Sequence, residues 1–143
     1  MRSLYKFIQL TPARKALHLK AVLLVALVRL GLWVLPFRML KWIINRIGSH
    51  PLPHHGVQMS PDEIAAIVGA AARRIPHATC LTQAMSLHLL CRRRGYETFV
   101  RIGVGRDGES KFRAHAWVER EGKVIIGNLA DLNTFLPLPS VGL

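Results

Sequence analysis

Residues 98–126 read TFVRIGVGRDGESKFRAHAWVEREGKVII, and this stretch decides the fold class. Upstream of it, apolar residues recur every three or four positions, as on a helix. Within it they alternate, the period of strands with one face buried. Three strands are predicted, over 98–104, 111–120 and 123–126. Arg106-Asp107-Gly108 and Glu121-Gly122 supply hairpin turns between them. Before this meander, Ser60-Pro61-Asp62-Glu63 carries an N-cap serine, proline at the first helical position and an acid three residues after the cap. It predicts a helix ending by Pro76. Thr79 or Cys80 opens a second helix over 81–94, closed by Gly95. Helices followed by an antiparallel meander make an α+β domain over 59–143.

Residues 1–58 form a separate, basic, Leu-rich arm. Thr11-Pro12 starts a long helix that Pro36 interrupts, and 37–47 reads as a second, amphipathic helix. The Pro- and His-rich stretch 49–57 is the boundary. The chain has 143 residues and a net charge of +12. Residues 1–61 hold nine Lys and Arg and no acidic residue, whereas the remainder holds eleven basic and eight acidic residues. Such an arm is expected to meet the protein's own domain, a partner protein, or a membrane by peripheral contact through residues 12–47. Nucleic acid is not expected, since Arg92-Arg93-Arg94 fits a solvated helix C-terminus and no stacking platform is visible. Two cysteines are too few for a disulfide framework. A cytoplasmic location is expected, membrane-associated if the arm meets lipid.

The chemistry concentrates in two residues. Cys80 stands at a helix N-terminus, where unpaired backbone N–H groups and the helix dipole favour a thiolate. Cys91, deep in the same apolar helix, reads as core. The strand 112–118 puts His115 and Trp117 on the face away from Ala114, Ala116 and Val118. A helix-start thiol and a strand imidazole form the pair that thiol enzymes use as nucleophile and base. A two-residue loop at Glu121-Gly122 would set Asn128 opposite His115, where its amide oxygen could orient the ring. A three-residue loop would set Gly127 there instead. Asp131 is the alternative third residue if the chain turns back. A metal site built from His77, Cys80 and His54, His55 or His88 lacks ligand spacing, and neither metal nor cofactor is expected.

Several segments together resemble a known family. These are Cys80-Leu81-Thr82-Gln83-Ala84-Met85-Ser86-Leu87, Arg92-Arg93-Arg94-Gly95-Tyr96, Ile102-Gly103-Val104-Gly105, Ala114-His115-Ala116-Trp117-Val118-Glu119 and Gly122-Lys123-Val124-Ile125-Ile126-Gly127-Asn128. Residues 60–138 are similar to the stand-alone leader peptidases of lasso peptide biosynthesis, which belong to the transglutaminase-like superfamily. The resemblance implies a papain/transglutaminase-like core of helices on an antiparallel sheet. It implies a catalytic thiol at Cys80, a base at His115 and a third residue, commonly Asp, near Asn128. It further implies a cysteine endopeptidase that removes the leader of a ribosomally made precursor peptide. Its partners would be a separate leader-recognition protein and an asparagine-synthetase-like lasso cyclase. A noncatalytic peptide-binding or scaffold subunit of a peptide-maturation complex would share the same scaffold and is the alternative.

Overall fold

A computed structural model describes residue 8 and residues 11–53 and 58–138. His54 and His55, weighed above as metal ligands, lie outside the described residues. Helix α1 (Pro12–Val34) has proline at its first position, where an amide hydrogen would be unpaired anyway, and stops before Pro36. Helix α2 (Phe37–Gly48) follows directly. Helix α3 (Pro61–Ala72) starts in a complete capping box: Glu63 N donates to Ser60 Oγ at 3.3 Å and Ser60 N donates to Glu63 Oε2 at 2.8 Å. The backbone hydrogen bond from Ser60, aided by the Arg14 guanidinium, holds the Glu63 carboxyl below its usual range. Helix α4 (Cys80–Arg93) is capped by Thr79, whose Oγ1 accepts from Thr82 N at 3.3 Å.

Strands β1 (Phe99–Arg106), β2 (Phe112–Arg120) and β3 (Lys123–Ile126) form the expected meander. After a short 3₁₀ turn (Leu132–Thr134), strand β4 (Leu136–Pro137) returns to pair with Gly103 and Val104 of β1. The sheet order is β3-β2-β1-β4 and every pairing is antiparallel. The molecule is thus α+β. Two residues, one of them proline, give β4 no periodic pattern, so it has no sequence signal.

One core joins helices and sheet. Leu17, Ala21 and Val25 of α1 meet Ile64 and Val68 of α3, Ala84, Leu87 and Cys91 of α4, and Val100, Ala116 and Val118 of the sheet. The arm's long helix is therefore half embedded in the same core as the helices and sheet that follow. A second cluster, built on Val28, Leu40, Ile44, Met85 and Leu89, seats α2 against α1 and α4.

Burial also traps two ionisable groups of α4 in their neutral forms. Desolvation pushes the Cys91 thiol up to about 12, so it is inert packing. His88 is 4 % exposed, with Nδ1 2.9 Å from Thr98 Oγ1. Desolvation, with the Arg92 guanidinium assisting, lowers its pKa from 6.5 to about 4. Between those values an unfolded chain takes up a proton that the native chain refuses, so native stability rises with pH across the window. The contribution is complete above about pH 6.5 and lost as the pH falls towards 4; a shift of this size corresponds to about 3 kcal/mol. Chemical denaturation at stepped pH should show that loss, and His88→Asn should flatten the dependence between those limits.

Candidate active site

Cys80 is the first residue of α4. The chain reaches it through a tight turn in which His77 adopts a left-handed backbone, φ 60°. The thiol is half-buried and packs on the rim of the main core. Thr79, immediately before it, is held by its own cap and by a 3.1 Å contact between its hydroxyl and that of Thr82. The nucleophile candidate is thereby fixed at a capped helix N-terminus.

His115 lies in the middle of β2, half-buried. Its Nε2 is 2.6 Å from the carbonyl oxygen of Gly127. A carbonyl only accepts, so Nε2 carries the hydrogen and the neutral ring keeps its lone pair on Nδ1, the tautomer a general base requires. The ring stacks on Trp117, centroids 6.2 Å apart and planes 18° apart, and meets Phe135 at 5.7 Å. Gly103 faces His115 in the β1–β2 register. A Cβ there would lie 2.8 Å from the Trp117 ring and 3.1 Å from Phe135, so glycine lets both rings close over the strand. Trp117 is itself held by donating Nε1–H to Glu119 Oε1 at 2.8 Å, while Arg101 Nε donates to Glu119 Oε2 at 3.3 Å.

The register count for the third residue needs correction. The loop Glu121-Gly122 does have two residues, both at positive φ, with Arg120 opposite Lys123 and Glu119 opposite Val124. A β-bulge then intervenes between Val118 and Glu119, so Val118 faces Ile126 and Ile125 is the extra residue. That single insertion shifts everything beyond it by one. Asn128 does not come opposite His115; it is exposed and makes no hydrogen bond to the ring. Asp131 is engaged elsewhere, accepting from Arg113 Nη1 at 3.2 Å. The ring's partner is the main chain of Gly127.

Glycine is required at that point. Its φ is +81°, and a Cβ would sit 2.6 Å from Ala116 O and 3.0 Å from the Trp117 backbone. The chain therefore turns sharply out of β3 and lays a carbonyl across β2 beside the imidazole. Cys80 and His115 are not hydrogen-bonded to each other in this structure. Ala116 and Val118 face α4, whereas His115 and Trp117 project from the other face of β2.

Residues 26–140 match the family model described as the transglutaminase-like superfamily. The chain belongs to the transglutaminase-like superfamily. Its members include cysteine proteases and acyltransferases, and cysteine protease activity is compatible with the domain. The match begins inside α1, so the superfamily region takes in the second half of that helix and all of α2. No curated protein and no solved structure matches the chain significantly. Among the described residues, no three His, Cys, Asp or Glu side chains converge closely enough to hold a metal ion.

Reasoning from side chains alone named Gly127 only as the residue opposite His115 in the alternative register and missed its carbonyl, because a backbone carbonyl carries no residue signature. Its trace in the sequence is a glycine directly after the apolar run Val124-Ile125-Ile126. Phe135 was missed too, since nothing local announces that the chain folds back over β2. Iodoacetamide should alkylate one cysteine of the native protein, Cys80, and reach the fully buried Cys91 only after denaturation; peptide mapping by mass spectrometry reads the difference.

Proposed function

We propose that this chain is a cysteine endopeptidase that removes the leader from a ribosomally made lasso precursor peptide before macrocyclisation. The observation that carries the reading is the conjunction, within a transglutaminase-like domain, of a helix-start Cys80 with a His115 whose tautomer leaves Nδ1 unprotonated. The segments around both residues, and their separation, are those in which the chain resembles lasso leader peptidases.

In the proposed reaction His115 Nδ1 takes the Cys80 proton and Sγ attacks the carbonyl carbon of the last leader residue, forming the C–S bond. The tetrahedral intermediate collapses with breakage of the C–N bond, and the imidazolium passes its proton to the departing amine of the core peptide. Water then attacks the thioester, giving its proton to Nδ1, and the C–S bond breaks to return the thiol. Throughout, Nε2–H donates to Gly127 O, which holds the ring in one plane and stabilises the imidazolium by a hydrogen bond. This reading gives the orienting task to the Gly127 carbonyl. Asn128, at the position to which the family's third residue maps, flanks that carbonyl. Asp131 acts at a distance by tethering Arg113, whose guanidinium lies 5.2 Å from the Phe135 ring centre. His115 projects from the face of β2 turned away from α4, so the chemistry requires the α4 N-terminus and β2 to shift relative to one another until Sγ and Nδ1 come within hydrogen-bond reach. A separate leader-binding protein would deliver the precursor, and the freed amine would be the substrate of an ATP-dependent, asparagine-synthetase-like cyclase.

A second reading, a noncatalytic peptide-binding subunit, draws on the missing hydrogen bond between Cys80 and His115. Incubation of the precursor with this protein and a leader-binding partner, followed by mass spectrometry, separates the two. The proteolytic reading expects Cys80→Ala and His115→Ala each to lower cleavage by at least about 10³-fold while leaving peptide association intact. Cleavage retained in either variant rules it out.

The orienting role has its own expected pattern. Gly127→Ala, which displaces the carbonyl, should reduce kcat by about tenfold or more in protein whose circular dichroism is unchanged. Asn128→Ala and Asp131→Ala should each stay within about threefold of wild type, because neither side chain touches the ring. If Asn128→Ala were the most damaging of the three, the amide and not the carbonyl would be the orienter.

A further inference from the structure

Helix α1 carries two apolar stripes. Leu17, Ala21, Val25 and Val28 recur at i, i+4, i+8 and i+11 and are buried in the core. Leu19, Leu23, Leu27 and Leu30 repeat the same spacing two positions later, and all four are more than half exposed. Two positions are about 200° of helical rotation, so the second stripe lies on the side away from the protein. Trp33 of α1 and Trp42 of α2, 80 % and 66 % exposed, stand on either side of the α1–α2 junction.

We propose that this face is the docking surface for an anionic lipid bilayer, with α1 lying in the headgroup plane. Charge selects the occupant. The arm contains no acidic residue before Asp62, and Lys15, Lys20, Arg29, Arg38, Lys41 and Arg46 stand along the two helices. A second copy would set one all-cationic arm against another, and nucleic acid would leave the leucine stripe wet. A bilayer with acidic headgroups answers both features: the leucines enter the acyl boundary, the cations meet phosphates, and the tryptophans sit at the interface their amphipathic rings prefer. Helix α1 has the length and apolarity of a membrane span, with mean hydropathy 1.9 over its best window. It does not cross, because spanning would extract Ala21, Val25 and Val28 from their packing in the two core clusters and drag Arg29 into hydrocarbon. The inference is independent of the proteolytic reading, since it concerns a face opposite the one α1 packs into the core.

The test uses the full chain and flotation with phosphatidylcholine vesicles, with and without about one-third phosphatidylglycerol. Binding to the anionic vesicles at low salt is expected, weakened at least about tenfold by high salt or by omission of the anionic lipid. Emission from Trp33 and Trp42 should shift to the blue and be quenched by brominated acyl chains, whereas the 3 % exposed Trp117 contributes a constant background. The double variant Leu23→Glu/Leu27→Glu changes only exposed positions, so it should keep the wild-type circular dichroism and melting temperature and lose flotation. Protein that remains soluble beside anionic vesicles at low salt would overturn the proposal. So would undiminished flotation of the double variant, or a self-associated species that the double variant dissolves while vesicle binding is absent.

Discussion

Desolvation of α4 is the constraint on which the remaining architecture depends. The helix touches the other three helices and three of the four strands, and from Ala84 to Leu89 every residue is buried. A helix covered on nearly all sides must satisfy its polar side chains internally or forfeit the burial. It does so residue by residue. Ser86 Oγ donates to Thr82 O at 2.7 Å, the Thr82 hydroxyl meets that of Thr79, and His88 finds Thr98 at the start of the sheet. The first two lie within the helix and its cap, whereas the His88–Thr98 bond ties α4 to the chain entering β1 and, with the apolar packing around it, sets the helix against the sheet. Since the first residue of α4 is Cys80, the packing that stabilises the domain also sets where the thiol stands.

The same constraint explains which parts of the molecule were legible in the sequence. Elements with strong local signals are where periodicity and caps put them: the proline start of α1, the Ser60–Glu63 box of α3, the threonine cap before Cys80, and the three strands of the meander. What local pattern cannot carry is tertiary. The bulge at Ile125 follows from how β3 fits beside β2, not from a residue that demands it, and one extra residue was enough to move Asn128 out of line with His115. Strand β4 and Phe135 return to the sheet through a turn stabilised by Thr134 Oγ1 donating to Asp131 O at 2.7 Å, again with no periodic trace. Of the candidate site, the sequence placed Cys80 at a helix start and His115 on a strand, where the structure has them, but not the surroundings of either side chain. The hydrogen-bond partner of the His115 ring is a carbonyl, visible only once the path of the chain is known.

Two surfaces of the domain have opposite characters. Around His115 the structure is dense in specific contacts: a hydrogen bond to Gly127 O, aromatic neighbours on two sides, and the Trp117–Glu119–Arg101 relay behind them. On the outer face of α1 there are few contacts and much apolar area, bordered by positive charge. The core that α1 shares with α4 and the sheet joins the two surfaces in one body.

The central claim is covalent: the leader's last carbonyl passes through a thioester on Cys80. Hydroxylamine competes with water for such an intermediate but does not enter a reaction in which water attacks the peptide directly. Processing of precursor in rising hydroxylamine should therefore convert the released leader from carboxylic acid to hydroxamate, read by mass spectrometry, while the core peptide appears unmodified at an unchanged yield. Leader released solely as the acid at every hydroxylamine concentration would contradict the account.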